Sequence, residues 1–544
     1  MVDERHRGAG KARSSAVLDD AHLGDIKGAF GTIHEQEHGT RRTWRRRLLA
    51  LAVIMGPGLI VMVGDNDAGG VATYAQAGQN YGTSLLWVLV LLIPVLIVNQ
   101  EMVVRLGAVT GVGHGRLIFE RFGKFWGWFS VGDLFLLNFL TITTEFIGIG
   151  LGAAYFGVSP YIAVPIGALF LIGITVTGKF STWERMMFVI LGGNALVIPL
   201  VVLAHPTLGP VLQGFLIPGI QGGLSSNGAL LIVAIVGTTV APWQLFFQQS
   251  NVVDKRITPR WIAYERTDTV VGAFVVVIGA AAIMITTAVA FRGTPLAGHF
   301  GDAQTVAEGL AKHVSSALGA IFAVLLIDAS VIGASAVTLA TSYAFGDVFG
   351  IRHSLHRSWR EAKPFYAVFT VVVVVAASIV LIPHAPLGLI TTAVQALAGT
   401  LLPSASLFLL LLCNDPAVLG PWVNKPWLNV LATIILGILV VLSLILVFST
   451  IFSGVSVSLL LIIFGSILVV GLIGIGFFTR GSLAPTVSAR DKEDRFTWRM
   501  PPIALLTRPV PSRGRRIGMT AMGAYILVAV LLLFVKAIEL GLGH

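Results

Sequence analysis

The sequence predicts an all-α polytopic membrane protein of about 12 to 13 transmembrane helices, the first ten forming two inverted halves of five in which helices 1 and 6 are discontinuous. Three observations lead there. Of 544 residues, 55% are hydrophobic and 12% charged, with a mean hydropathy of +0.85, a balance typical of chains dissolved in lipid. Apolar stretches long enough to cross a bilayer follow one another along nearly the whole chain. Two of these stretches, five apart, are interrupted by residues that hydrocarbon tolerates only inside protein or against a cavity.

Taken in order, residues 1–47 are polar, mix charges with glycine and serine, and end in RRTWRRR, so a disordered, basic, cytoplasmic tail is expected. The first apolar stretch lies too far into the chain for a cleaved signal peptide and is expected to remain as an anchor. Apolar segments lie near 48–80, 83–104, 125–153, 158–178, 184–203, 228–250, 268–291, 317–346, 365–383, 387–413, 428–449, 454–479 and 517–539. This divides the chain into a first repeat over 48–203, a second over 204–413, and additional helices over 414–544 with a basic cytoplasmic loop at 480–516.

The net charge of +10 follows topology. Lysines and arginines fall in alternate connections, after the second, fourth, sixth and eighth segments, which places those loops and the amino terminus in the cytoplasm of a bacterial-type plasma membrane. No nucleic-acid partner is implied, and the lipid bilayer is the partner that is. Cys413 has no second thiol and reads as packing. There is no His-Glu-x-x-His, no Gly-x-Ser-x-Gly elbow in a suitable setting and no P-loop, so neither an enzyme nor a nucleotide-driven pump is expected. A pore built of symmetric rings is also disfavoured, because one chain supplies both half-sites.

The first interrupted segment reads GPGLIVMVGDNDAGGVATYAQAG. Asp65, Asn66 and Asp67 fall near its middle, and Gly69 and Gly70 let the chain leave helical geometry. Carboxylates and freed carbonyls in such a gap make a cation site, and intramembrane aspartates are costly enough to point to function. The sixth, LLIVAIVGTTVAPWQLFFQQS, is broken at Gly237 and Pro242, with Thr238 and Thr239 supplying hydroxyls. A matched pair of broken helices marks a midplane site between two repeats.

These stretches resemble the natural resistance-associated macrophage protein (Nramp) superfamily of divalent-metal transporters, whose first helix carries Asp-Pro-Gly-Asn, and the chain reads as a divergent member. The resemblance runs from the opening Gly-Pro through LLWVL, includes NQEMVVRLGAVTG and AVQALAGTLLPSASLFLLLLCND, and covers the first ten segments. It implies a leucine-transporter-type 5+5 inverted repeat working by alternating access. Asp67 keeps the motif aspartate. Ala68 replaces the proline, Gly70 stands where a metal-ligating asparagine is expected, Ala241 replaces a methionine whose thioether contacts metal, and Trp243 replaces the motif histidine.

What remains is oxygen-rich. Asp67, Thr238 and Gln395 are the implied metal ligands, with Asp65 and Asn66 beside them, and small residues at 70 and 241 are expected to leave room for hydration water. Loss of a soft thioether favours a hard ion such as magnesium over manganese or iron. The alternative is a small organic substrate, an amino acid or amine. No cofactor is expected beyond the cation carried as substrate, and the oligomeric state is open, a monomer included.

Proton-relay groups are depleted. In LTITTEFIGIG, Glu145 matches a family glutamate, but Ile142 replaces an aspartate, so weak or no proton coupling is expected. Glu145 and Gln100 are the remaining proton-pathway candidates, each with an interhelical hydrogen bond as the plain alternative. Asn138 and Asn194 read as interhelical partners, and His114 as a solvated loop histidine.

Overall fold

The computed structural model describes residues 16–35, 43–383, 386–452, 455–479, 494–506, 516, 519–529 and 531. Every apolar segment expected from the sequence contains helix. The first half of the chain holds α1 (Trp44–Ile54), α2 (Pro57–Val63), α3 (Ala68–Tyr81), α4 (Leu86–Thr110), α5 (His114–Phe122), α6 (Lys124–Tyr155), α7 (Pro160–Thr175), α8 (Phe180–Leu191), α9 (Val197–Leu203) and α10 (Leu208–Leu216). The second holds α11 (Ser226–Thr239), α12 (Pro242–Asp254), α13 (Ile262–Phe291), α14 (Ala303–His313), α15 (Ser316–Phe349), α16 (Lys363–Val380) and α17 (Leu387–Cys413). Beyond these come α18 (Pro416–Leu419), α19 (Pro426–Ile451), α20 (Val457–Thr479) and α21 (Met519–Ala529). The basic loop expected at 480–516 lies largely outside the described residues.

Among the described residues, ten helices are long and apolar enough to span a membrane, and an eleventh span arises if α1 and α2 are joined. The broken α2–α3 pair, the 16-residue α7 and the short α21 correspond to the remaining expected segments.

Burial sorts the helices into centre and rim. Of the α11–α12 span, 94% is buried by other helices, whereas α20 is 11% buried and exposes Ile462, Val470 and Ile473, as a lipid-facing helix should. The first segment sits at the centre. Helix α13 packs along α2, α3 and α4, α15 along α6, and α11 along α17.

Two expectations are corrected here. The segment expected over 48–80 has a second break, because α1 and α2 meet at 55° about Met55 and Gly56. Gly56 has a φ of 147°, open only to glycine, and a side chain there would run into the Glu184 carboxylate. The expected disorder of residues 1–47 does not hold for 16–35. These form a short 3-10 turn at Asp20–His22 and a hairpin, β1 (Ile26–Gly28) paired antiparallel with β2 (Gly31–Ile33), that buries Ile26, Ala29 and Ile33 against the underside of the bundle. A charged stretch with few apolar residues cannot fold alone, and its ordering comes from partners far along the chain.

His114 is also not solvated. It is buried at the start of α5, with Nδ1 2.9 Å from Gln249 Oε1. The asparagine pairs are interhelical as expected: Asn138 donates to Thr341 Oγ1 at 2.9 Å and Asn194 to Asp328 Oδ2 at 3.2 Å.

Candidate functional site

In the first segment α2 unwinds through Gly64. The backbone N–H groups of Asp65 and Asn66 still reach back to Met62 and Val63, at 3.2 and 3.1 Å, before Asp67 turns extended and caps α3. Asp67 Oδ1 accepts from Gly70 N at 2.7 Å, the arrangement that an N-terminal cap requires. Because residue 68 is alanine, its N–H is present, and it donates to Glu145 Oε2 of α6 at 3.1 Å. The side chains of Asp67 and Glu145 lie close together beside Gly333 of α15, where a Cβ would lie 2.7 Å from both Asp67 Cβ and Glu145 Oε2.

In the second break α11 ends at Thr239, Val240 and Ala241 are non-helical, and Pro242 opens α12 where its missing N–H costs nothing. Thr239 Oγ1 lies 2.8 Å from Tyr74 Oη of α3, tying the two breaks together. Its carbonyl accepts from Gln244 at 3.3 Å, and Gln244 in turn accepts from Gln100 at 3.0 Å. Gln100 therefore reaches the site through one intermediary.

The structure brings together Asp67, Gly69, Gly70, Gly237, Thr238, Glu145 and Gln395. The start of α3 is the meeting point. A Cβ on Gly69 would strike Gln395 Nε2, and one on Gly70 would lie 2.6 Å from the Asp65 carbonyl and 3.1 Å from Thr238 Oγ1. Gly237 lies against Gln395 and Gly399, so α11 and α17 touch backbone to backbone. The small residue at 70 thus holds a close contact, and the expected space for hydration water is not beside it. Ala241 is buried at the cap of α12, next to the break but with no donor to offer. Asn66 turns away, its amide donating to Val276 O of α13 at 3.2 Å.

Several buried polar atoms around the breaks have no protein partner: both carboxylate oxygens of Asp65, Thr238 Oγ1 and Gln395 Nε2. Buried oxygens in that condition take water or a cation. Among the described residues no group of three His, Cys, Asp or Glu side chains converges as a metal cage. A cavity of about 10 Å³, room for about one water, lies behind Ala68, Ala72, Thr144 and Gly148. At the far end of α3 a larger opening of about 340 Å³ is lined by Gln76, Asn80, Tyr81, Asn227 and Thr392, all uncharged.

Sequence reasoning missed Tyr74 and Gln244. Tyr74 stands one turn after Gly70, and Gln244 two residues after Pro242, so helical spacing from each break was the available signal.

The chain is similar to the divalent metal cation transporter MntH of Klebsiella pneumoniae (strain 342), 25% identical over 428 residues covering 75% of this chain and 96% of that one. It is 28% identical over 464 residues to the MntH of Brucella suis biovar 1, covering 80% and 94%. A crystal structure of the Eremococcus coleocola manganese transporter, in complex with an aromatic bis-isothiourea compound, superposes with a TM-score of 0.59 at 20% identity over 81% of this chain and 96% of that one. That likeness shows the fold, a leucine-transporter-type inverted repeat. The profile of the natural resistance-associated macrophage protein-like family matches residues 58–449, and the chain belongs to that family.

Proposed function

We propose that this membrane transporter carries a divalent metal cation by alternating access, a hard, partly hydrated ion such as magnesium being favoured over manganese or iron, with weak or no proton coupling. The observation that carries this reading is the junction at the start of α3. There Asp67, the partnerless hydroxyl of Thr238 and the Gln395 amide meet around Gly69 and Gly70, where two broken helices come together, and the carboxylate of Asp65 in the same break has no protein partner. All the donors are oxygen or amide groups, and Ala241 offers no thioether. The curated relatives are named for divalent metal and the superposed structure for manganese, which supports the cation class.

Residues 48–203 and 204–413 serve as the two inverted halves, Asp67, Thr238 and Gln395 as ligands, and Glu145 as a proton-holding neighbour of Asp67. The amino terminus and the hairpin face the cytoplasm, in keeping with the basic connections on that side. Uptake of radiolabelled or dye-reported magnesium, calcium and manganese into proteoliposomes tests the reading. Magnesium flux that saturates and vanishes in Asp67→Ala is expected, and flux of manganese alone would overturn the hard-ion preference.

A further inference from the structure

The hairpin at 16–35 and the bend between α1 and α2 are gripped by the same carboxylate. Glu184 of α8 accepts from Ala29 N of the hairpin at 2.5 Å through Oε2, and from Lys255 Nζ at 2.6 Å through Oε1. Lys255, wholly buried at the end of α12, also donates to the carbonyls of Ile54 and Met55 at 2.7 Å each, the last peptide groups before the bend. Asp268 of α13 then caps α2, accepting from Gly56, Gly58 and Leu59 N at 3.1, 2.8 and 3.2 Å. A second anchor lies at the other end of the strap. Asp19 takes the Arg357 guanidinium at 2.6 to 3.0 Å and the backbone N–H of His353 at 3.0 Å, while His22 Nε2 lies 3.0 Å from the His353 carbonyl and 3.5 Å from Asp254. Arg256 completes it by donating to the carbonyls of Ala21 and Asp25.

We propose that residues 16–35 are a gate on the N-terminal side of the transporter, a strap that locks the half-helix α2 onto α8, α12 and the α15–α16 loop and must detach before α2 can swing away and open the site to that side. The inference rests on the alternating-access reading but concerns the switch between states, not the cargo. Its physical basis is shared burial. If the strap leaves, Glu184 loses a donor and becomes accessible to water, which weakens its hold on Lys255, and Lys255 is what pins the bend. Strap, ion pair and half-helix therefore release together. The polar opening past Gln76 and Asn80 lies at the other end of the broken helix, away from the strap.

The test uses the full chain in proteoliposomes with Cys413→Ser and the reporter Thr238→Cys, labelled by a membrane-impermeant thiol reagent added on one side at a time. Arg357→Gln and, separately, Arg256→Gln each loosen an anchor of the strap without touching the site. Either should speed labelling from the N-terminal side by about tenfold and slow it from the opposite side, the signature of a shifted two-state equilibrium. Unchanged labelling from the N-terminal side, or acceleration from both sides together, would overturn the proposal, the latter marking general loosening. Since no cation is involved in the readout, failure here leaves the proposed cargo untouched, and failure of the cargo leaves this result standing.

Discussion

The backbone N–H of Ala68 sits 3.1 Å from Glu145 Oε2, a hydrogen bond that exists only because this position is not proline. A carboxyl that lies close to Asp67 beside Gly333 is held by the first turn of the half-helix. Ala68→Pro should therefore cost about 1–3 kcal/mol of stability, the penalty of a buried acceptor left without its donor. In Glu145→Leu the same proline should cost little, so a double-mutant cycle by denaturant titration reads the coupling directly. Equal costs in both backgrounds would show that the bond contributes nothing.

Selectivity should respond to position 241 and resist position 70. Ala241→Met adds a soft donor at the cap of α12 and is expected to strengthen manganese binding relative to magnesium by about tenfold. Gly70→Asn places a Cβ 2.6 Å from the Asp65 carbonyl, so it should destabilise by about 1–3 kcal/mol and add no ligand until the backbone shifts. Competition binding on the two single variants and their combination checks both. Tighter manganese binding from Gly70→Asn alone would contradict the geometry.

Lys255 and Glu184 are both fully buried, and their ion pair spans α8 and α12. Lys255→Met leaves Glu184 with only Ala29 N, and it should lower stability by about 3–5 kcal/mol, as expected for a buried charge stripped of its partner. Lys255→Met with Glu184→Leu should recover most of that loss. A thermal-shift series that finds the double variant as unstable as the single would mean the carbonyl bonds of Lys255 matter more than the pair.

Acid on the N-terminal side should loosen the strap. His22 faces Asp254 of α12, His353 and His356 of the loop, Asp347 of α15 and Asp19 beside it. Burial pushes its imidazole below the ordinary 6.5, Asp254 opposes this and His353 adds to it. For His353, burial works against the charge, but Asp347 at 3.0 Å prevails and holds it at about 9, so His22 faces a cation throughout the neutral range. For His356, burial also prevails over Asp254 and keeps the ring below its ordinary value. Burial of Asp19 is overcome by Arg357, which holds that carboxyl well below its usual range and charged. Released His22 takes up a proton near its ordinary value, whereas strapped His22 does not. The strap is therefore favoured fully above 6.5 and progressively lost as pH falls below it. Labelling of Thr238→Cys from the N-terminal side should rise between about pH 6.5 and 5, and His22→Gln should flatten the rise. An identical slope in His22→Gln would assign the effect to another group.

Much of the bundle could be read from the chain because its signals are local. The polar run Asp65–Asp67 and Pro242 mark backbone that cannot continue as helix in lipid, and the spacing of the two breaks follows from counting apolar segments. Gly69, Gly70 and Gly237, expected to be the break points, instead lie inside α3 and α11, where they allow close approach to Gln395, Thr238 and Gly399. The strap could not be read, because Ala29 and His22 acquire their partners from Glu184 and His353, more than a hundred residues away. The second bend was hidden for the same reason: Gly56 looks like any glycine until Glu184 and Lys255 are seen against it. His114 was misread because its burial depends on Gln249, and Gly70 because the volume beside a glycine is set by its neighbours, here Asp65 and Thr238.

The central claim is a divalent cation site at the junction of the two breaks. Calorimetric titration of the purified chain with magnesium, calcium and manganese, repeated on Asp67→Ala, tests it most directly. Losing the Gly70 cap should cost that variant only about 1 kcal/mol, leaving it folded for the comparison. Magnesium binding in the parent chain that disappears in the folded variant is the predicted result. Heat of magnesium binding that persists unchanged in Asp67→Ala, or no divalent binding by the parent chain, would contradict the account.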